Sequence, residues 1–174
     1  MRLDRKGMDT LTKAIDRALE IFLVALMIVM VIAVSWQVAT RYLLNNPSSY
    51  TEELASYLLI WISLLGAAYA LRRRAHLGID ILVRRLNARK RRFVHIVAYG
   101  TIMVFSLVAL VFGGGRLVYV TLDLNQLSAA FQLPIGYVYL VLPLSGLLLI
   151  YYSIVAIRAL LQEGKSETTQ PLAI

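Results

Sequence analysis

Residues 41–82 read RYLLNNPSSYTEELASYLLIWISLLGAAYALRRRAHLGIDIL, and this stretch decides the fold. It contains a short polar segment (45–53), a charge-free run of 18 residues (54–71) and then three consecutive arginines (72–74). An uncharged run of about 18 residues is long enough to cross the apolar core of a bilayer. Because a dense basic block marks the cytoplasmic end of such a helix, the stretch predicts an oriented transmembrane helix with both of its ends.

The composition of the whole chain is typical of a membrane protein. Of its 174 residues, 59% are hydrophobic and only 16% are charged, whereas soluble domains are about half apolar and about a quarter charged. The absence of cysteine excludes disulfides, thiolate metal sites and a cysteine nucleophile. The net charge of +8 could indicate a nucleic-acid partner, but the basic residues flank apolar runs instead of alternating with base-stacking aromatics. We therefore expect membrane lipids as partners and no nucleic acid.

Three further apolar runs are long enough to span a bilayer. They cover residues 21–40, 93–115 and 135–157, and together with 54–71 they predict an all-α protein with four transmembrane helices. The first of these runs has 20 residues, which is too long for the apolar core of a secretory signal. We therefore expect it to be an uncleaved membrane helix.

The segments outside these runs complete the predicted organisation. Residues 1–20 carry apolar positions at helical spacing between charges, so we expect the first helix to begin on the cytoplasmic surface. The predicted domains are a cytoplasmic segment (1–20), a membrane domain (21–161) and a polar cytoplasmic tail (162–174). Residues 116–134 are too polar for a span and too apolar for a solvated loop. We expect them to begin as a continuation of the third helix and then to lie against the membrane or a partner.

The basic residues are distributed unequally between the two sides of the predicted bundle. Sixteen of the eighteen lysines and arginines precede the first span, separate the second and third spans, or follow the fourth; the other two are Arg41 and Arg116. Because cytoplasmic loops carry an excess of Lys and Arg, we expect both termini in the cytoplasm. Residues 45–53 and 116–134 then face the exterior or periplasm.

The cytoplasmic segment after the second span has an amphipathic pattern. On a wheel of 3.6 residues per turn, apolar side chains gather on one face and arginines on the other. The apolar positions are Ile79, Leu82, Val83, Leu86 and Phe93. This pattern predicts an interfacial amphipathic helix, held by apolar contact and by anionic headgroups at about 1 kcal/mol per basic residue. The alternative is a docking site for a cytoplasmic regulator.

Five residues after the second span form a candidate cytoplasmic interface: Arg72, Arg73, Arg74, His76 and Asp80. His76 and Asp80 lie four residues apart and would share one face of a helix, so Asp80 could pair with His76 or with a neighbouring arginine. Both residues follow the arginine block and lie outside the hydrocarbon core. A structural pair is therefore favoured over a proton relay.

At the outer end, Arg41, Glu52 and Glu53 are the candidates for docking a partner or for fixing the first hairpin. Arg41 lies on the side that positive-inside statistics disfavour, which indicates a role beyond anchoring. Ser49 and Glu52 predict a capping box, in which each side chain accepts a hydrogen bond from the other residue's backbone N–H. The acidic pair is therefore either a well-capped helix start or, beside Arg41, a docking patch or an ion pair.

The four predicted spans carry no acidic or basic residue at mid-depth. A lone proline in the fourth span, Pro143, predicts a kink and the close approach of a neighbouring helix. A protein that itself moves ions or anions normally has intramembrane ionisable groups or interrupted helices in repeated positions. The sequence therefore argues against a solitary transporter. It also lacks the metal cluster, nucleophile triad or cofactor loop of a membrane enzyme.

Three motifs carry a resemblance to a known family. They are RYLLNNPSSYTEELA from Arg41, LGAAYALRRRAHLGID at 65–80 and LPIGYVYLVLPLSG at 133–146. Together they resemble the small membrane subunit (DctQ/SiaQ type) of the tripartite ATP-independent periplasmic (TRAP) transporters, over about residues 15–161. The family often has Trp where Tyr50 stands and Arg where Ser56 stands.

The resemblance implies a non-enzymatic, four-helix subunit of the bacterial inner membrane. It would bind a large multi-span subunit that carries a sodium-coupled, elevator-type transport site, and it would have no cofactor of its own. A periplasmic binding protein would deliver an organic anion, typically a carboxylate, and Arg41 with residues 45–53 would lie on the docking side. His76 and Asp80 would lie where the second span meets the interfacial helix. The alternative is a membrane scaffold or assembly factor unrelated to solute transport.

Overall fold

The computed structural model of the chain describes residues 3–43, 48–73 and 87–168. Within these ranges the chain is helical except for a loop between residues 123 and 136, the single residue Leu140 and the terminal residues 48, 73 and 87. The helical segments are α1 (Leu3–Leu43), α2 (Ser49–Arg72), α3 (Ala88–Phe105), the π-helical segment π1 (Ser106–Gly113), α4 (Gly114–Asp123), α5 (Gly136–Tyr139) and α6 (Val141–Thr168).

Four stretches of these helices are long and apolar enough to cross a membrane. They are Thr12–Leu43, Ser49–Arg72, Lys90–Asp123 and Gly136–Leu161. The predicted fold class, an all-α membrane protein with four spanning helices, is therefore confirmed. The chain is a multi-pass membrane protein.

Two of the spanning elements are longer than the bilayer core requires. Helix α1 contains 41 residues, which corresponds to about 60 Å of helix against about 30 Å of hydrocarbon. The apolar run 21–40 is thus the middle of a helix that begins well before it. Segments α3, π1 and α4 follow one another without a break, so the expected continuation of the third helix is confirmed as far as Asp123.

The core of the bundle lies around α2 and α6. Leu65 and Ala68 of α2 are almost completely buried, as are Val141 and Tyr152 of α6. Helix α2 packs against α1 on one side and against α6 on the other, and α6 also packs against α3 and π1. The Trp61 indole of α2 donates a hydrogen bond to the backbone carbonyl of Val138 (3.1 Å), which fixes α2 against the start of the fourth span.

Close contact between π1 and α6 depends on Gly146. A Cβ atom at this position would lie 2.8 Å from Leu110 Cβ and 3.0 Å from Val111 Cγ2, both on π1. Such distances are shorter than van der Waals contact, so only glycine fits without displacement. Small residues at helix contacts are the usual device for close approach inside membranes.

Pro143 lies next to a break in the helical hydrogen bonding of the fourth span. The break is at Leu140, and Pro143 is the third residue of α6, so it lies in the first turn after the break. The kink expected at this position stays a prediction. A missing N–H is tolerated there because first-turn N–H groups have no partner within the helix. The expected close approach is confirmed, since Pro143 Cδ lies 3.3 Å from the position of a Cβ at Gly114.

Large apolar faces of the bundle remain uncovered by the chain itself. Ile32 of α1 is 63% exposed, and Phe105 of α3 and Phe112 of π1 are 60% and 68% exposed. In a bilayer these side chains contact lipid or a second membrane protein, because water is absent from the hydrocarbon region. The predicted interfacial helix falls mainly on residues 74–86, outside the described residues, and it stays a prediction.

Candidate functional site

The contacts of α1, α2, α3 and α6 define two ends of the bundle. We call the end where α1 finishes and α2 begins the outer end, following the predicted orientation, and the opposite end the inner end. The outer loop (residues 124–135) connects α4 to α5 at the outer end. Polar contacts of charged side chains concentrate at these two ends.

The outer loop is an ordered turn with its base closed by backbone hydrogen bonds. The Ser128 N–H donates to the Leu133 carbonyl (2.8 Å), and the Ile135 N–H donates to the Gln126 carbonyl (3.0 Å). The turn also uses a residue in the left-handed region, Gln132, whose φ is 54°. Non-glycine residues rarely adopt this conformation, so it persists only where other contacts hold it.

The Glu53 carboxylate provides such contacts from α2. It accepts hydrogen bonds from three consecutive backbone N–H groups of the loop, those of Ala129 (3.2 Å), Ala130 (2.7 Å) and Phe131 (3.3 Å). The Tyr57 hydroxyl, one helical turn further along α2, donates a fourth hydrogen bond to the same carboxylate. Successive N–H groups form an anion-binding concavity, and hydrogen bonds to an ionised acceptor are about twice as strong as neutral ones. Glu53 therefore ties the loop to the start of α2.

An aromatic contact lies beside this carboxylate. The rings of Tyr50 on α2 and Phe131 in the loop meet edge to face, with centroids 5.6 Å apart. Edge-to-face packing is a favoured arrangement for an aromatic pair. The loop is thus attached to α2 by the three hydrogen bonds to Glu53 and by this aromatic contact.

Arg41 and Glu52 are placed differently from Glu53. Both are exposed, and the Arg41 guanidinium lies 5.9 Å from the ring centroid of its neighbour Tyr42. Among residues 3–43, 48–73 and 87–168, no ion pair joins Arg41 to Glu52 or Glu53. The structure therefore separates the three candidates: Glu53 fixes the loop that follows the third span, and the other two are accessible at the same end.

The predicted capping box is wrong, because the helix begins one residue earlier than the box requires. Helix α2 begins at Ser49, so the N-cap is Ser48, and its side chain makes no capping hydrogen bond. The third helical position is then Thr51, whose hydroxyl donates to the Ser48 carbonyl (3.0 Å). Because Ser49 already lies inside the helix, Glu52 cannot complete a box with it.

At the inner end, three helices meet at Asp16 of α1. Its carboxylate accepts a hydrogen bond from Arg72 Nε of α2 (3.0 Å), with which it forms an ion pair, and from the Tyr152 hydroxyl of α6 (2.9 Å). Thr12 Oγ1 and the Tyr151 hydroxyl form a further hydrogen bond one turn away (2.7 Å). We call these residues the inner cluster; they join α1, α2 and α6.

A second pair at the inner end is more exposed. Arg73 Nη2 lies 3.8 Å from Glu20 Oε2, and both side chains are more than half exposed. The Tyr69 hydroxyl accepts hydrogen bonds from the Arg73 guanidinium, and this contact, assisted by the charge of Glu20, raises the pKa of Arg73 above its usual range. Arg92 Nε of α3 donates to the Leu160 carbonyl of α6 (2.8 Å). Of the predicted cytoplasmic interface, Arg74, His76 and Asp80 lie outside the described residues.

Sequence reasoning missed Asp16 and Tyr152. A signal was available for Asp16, because it lies four residues after Thr12 and three before Leu19, and both of these are buried. An acidic residue on the packing face of a helix requires a partner on the neighbouring helix. The partners themselves, Arg72 and Tyr152, could not be chosen from spacing alone.

The described residues contain no group of three His, Asp or Glu side chains that could hold a metal ion. The charged contacts of the described bundle lie at its two ends. This arrangement can join helices and present a shaped outer surface, and it offers no charged site at mid-depth.

Comparison with known proteins agrees with this geometry. The family model described as "Tripartite ATP-independent periplasmic transporters, DctQ component" matches residues 30–163. The chain is 30% identical over 138 residues to the sialic acid TRAP transporter small permease protein SiaQ of Vibrio cholerae, covering 75% of this chain and 79% of that protein. It is 31% identical over 102 residues to the C4-dicarboxylate TRAP transporter small permease protein DctQ of Rhodobacter capsulatus, covering 59% and 44%.

A third relative is much longer than this chain. The isethionate TRAP transporter permease protein DctMQ of Oleidesulfovibrio alaskensis is 32% identical over 146 residues. The match covers 80% of this chain but only 22% of that protein. A region similar to this chain therefore also occurs within a single larger permease.

Proposed function

The chain belongs to the DctQ component family of the tripartite ATP-independent periplasmic (TRAP) transporters, and we propose that it scaffolds a large permease subunit in the bacterial inner membrane. The observation that carries the proposal is the uncharged middle of all four spans. Residues 21–40, 54–71, 96–115 and 136–157 contain no Asp, Glu, Lys, Arg or His. A subunit of this kind has no charged group with which to bind an anion or a cation at the midplane.

The large partner is supported by two observations. The similar region of DctMQ is continuous with a much longer permease chain, so the two parts can function in one molecule. The bundle also leaves apolar side chains of α1, α3 and π1 exposed. A second membrane protein could cover part of this surface and lipid the rest.

The solute is proposed only as a class. The relatives are named for sialic acid, C4-dicarboxylates and isethionate; the first two are carboxylates and the third is a sulfonate. We therefore propose an organic anion, without restricting it to carboxylates. The large subunit would select it and couple its uptake to a sodium gradient, and this chain would need no cofactor.

Docking of a periplasmic binding protein is the second part of the proposal. The outer end combines accessible charged side chains, Arg41 and Glu52, with an ordered and largely exposed loop. A soluble partner that approaches from the periplasm would meet these groups first. We propose that they form part of its docking surface, together with the outer face of the large subunit.

Reconstitution tests the proposal directly. The chain alone in proteoliposomes should take up none of the three anions, with or without an inward sodium gradient. The chain co-expressed with a large TRAP subunit should co-purify with it in mild detergent, and the pair should take up solute only when the binding protein and the gradient are present. Uptake by the chain alone would contradict the proposal, and failure to co-purify would favour an assembly factor unrelated to transport.

A further inference from the structure

We infer that Glu53 is a positioning residue for docking: its carboxylate holds the outer loop in the conformation that the periplasmic binding protein meets. The inference rests on the proposed docking function and adds to it a division of labour within the acidic pair. Glu53 is used inside the subunit, and Glu52 is available to a partner.

Several hydrogen-bond donors converge on the Glu53 carboxylate. Glu53 receives three N–H groups from the loop and the hydroxyl of Tyr57 from its own helix. An exposed acid on a helix start needs none of these contacts, because the helix dipole already favours it there. Four converging donors indicate that the loop and α2 together form a binding site for this carboxylate.

The base and the tip of the outer loop are held by different hydrogen bonds. The backbone bonds at Ser128 and Ile135 close the base of the turn, whereas the N–H groups of Ala129 and Ala130 donate to Glu53. The Phe131 N–H is shared between Glu53 and Ser128 Oγ (3.1 Å). These bonds and the Tyr50–Phe131 contact join the tip to α2.

The contact between Glu53 and the loop lies next to Glu52. Glu52 and Glu53 are adjacent on the first turns of α2, so the loop tip and the accessible Glu52 lie at the same end of the bundle. A change in the loop therefore changes the surface next to Glu52. The left-handed φ of Gln132 makes the held conformation an unfavourable one for the isolated turn, so releasing Glu53 should let the tip rearrange.

The test uses the whole complex and a chain without native cysteine. Ala130 is half-buried and contacts Glu53 through its backbone N–H, so an Ala130→Cys variant keeps this contact and should react slowly with a membrane-impermeant maleimide while the loop is held. Adding Glu53→Gln should raise the labelling rate by about tenfold, the factor expected when a charge-assisted contact is lost. The matched control Glu52→Gln should leave this rate unchanged, because Glu52 makes no side-chain contact with the loop among the described residues. Equal labelling in Glu53→Gln and the parent would overturn the inference.

A second readout separates positioning from folding. In proteoliposomes with the large subunit, Glu53→Gln should raise the half-saturating concentration of binding protein by about tenfold, with the maximal uptake rate and complex assembly unchanged. Faster labelling with an unchanged half-saturating concentration of binding protein would support the contact between Glu53 and the loop but overturn its role in docking. A fall in the maximal rate alone would also contradict it.

A milder variant keeps the inference testable if Glu53→Gln fails to assemble. Tyr57→Phe removes only the hydroxyl donor and should shift both readouts in the same direction by a smaller factor. Hydrogen exchange of the peptide that contains residues 129–131 reports loop release without the introduced cysteine. Unchanged exchange in Tyr57→Phe and Glu53→Gln together would overturn the inference.

Discussion

Glu52 and Glu53 are identical side chains on neighbouring residues, and the helix separates their roles. Successive residues on an α-helix are rotated by about 100°, so only one of the two can face the outer loop. Glu53 shares its side of α2 with Tyr57, four residues later, whose hydroxyl donates to the Glu53 carboxylate. Sequence alone identifies the acidic pair as important but cannot choose between its members. The partners of Glu53 are backbone N–H groups 76 to 78 positions away. Because every residue except proline has such a group, the sequence does not show which ones bind the carboxylate.

The inner cluster supports a prediction for the stability of the bundle. Asp16→Ala leaves the Arg72 guanidinium and the Tyr152 hydroxyl without their shared acceptor at a contact of three helices. We expect the isolated chain in detergent to lose about 1–3 kcal/mol of unfolding free energy, measured by thermal or denaturant unfolding. Asp16→Asn, which retains one acceptor oxygen, should lose less.

Glu20→Ala is the matched control for this prediction. It removes an acid from the same helix, one turn away, whose partner Arg73 is 3.8 Å distant and largely exposed. Exposed pairs at such distances contribute little because water and salt screen them, so we expect no measurable change. Equal losses of unfolding free energy in Asp16→Ala and Glu20→Ala would contradict a stabilising role specific to the inner cluster.

At the scale of elements, the four spans were predictable because each is an uncharged run bounded by charges. The extensions of α1 and α4 beyond the apolar runs were also expected from the sequence, whereas the residue at which α4 ends was not. Segment π1 could not be predicted at all. Its hydrogen-bond pattern differs from that of α3 while its residues, SLVALVFG, are compatible with either helix type. Packing against α6 decides between them, and packing is a property of two segments distant in sequence.

The contact between π1 and α6 gives the element-scale prediction. Gly146→Ala places a methyl group 2.8 Å from Leu110 Cβ, so α6 and π1 must separate. Overpacking of this kind costs about 1–3 kcal/mol, which unfolding of the isolated chain in detergent should detect. Gly100→Ala in α3 is the control, because a Cβ there meets nothing within 4 Å and alanine is the better helix former. A similar loss in both variants would contradict the role of Gly146 in close approach.

For the whole molecule, charge distribution and helix contacts lead to one topology. Asp16 pairs with Arg72 and Tyr152, and Arg92 binds the carbonyl of Leu160. These contacts bring the first part of α1, the end of α2, the start of α3 and the later part of α6 to one end of the bundle. Which side of the membrane this end faces rests on the excess of basic residues there, and we predict the cytoplasm.

Single cysteines can test this topology because the natural chain has none. Leu124→Cys in the outer loop and Asn87→Cys before α3 both replace exposed residues at opposite ends of the bundle. In intact spheroplasts, an impermeant maleimide should label Leu124→Cys at once and Asn87→Cys only after permeabilisation. The reverse pattern would invert the bundle, and it would place Arg41, Glu52 and the outer loop in the cytoplasm, where no periplasmic protein could dock on them. The same two variants therefore test the premise on which the docking role of Glu53 depends.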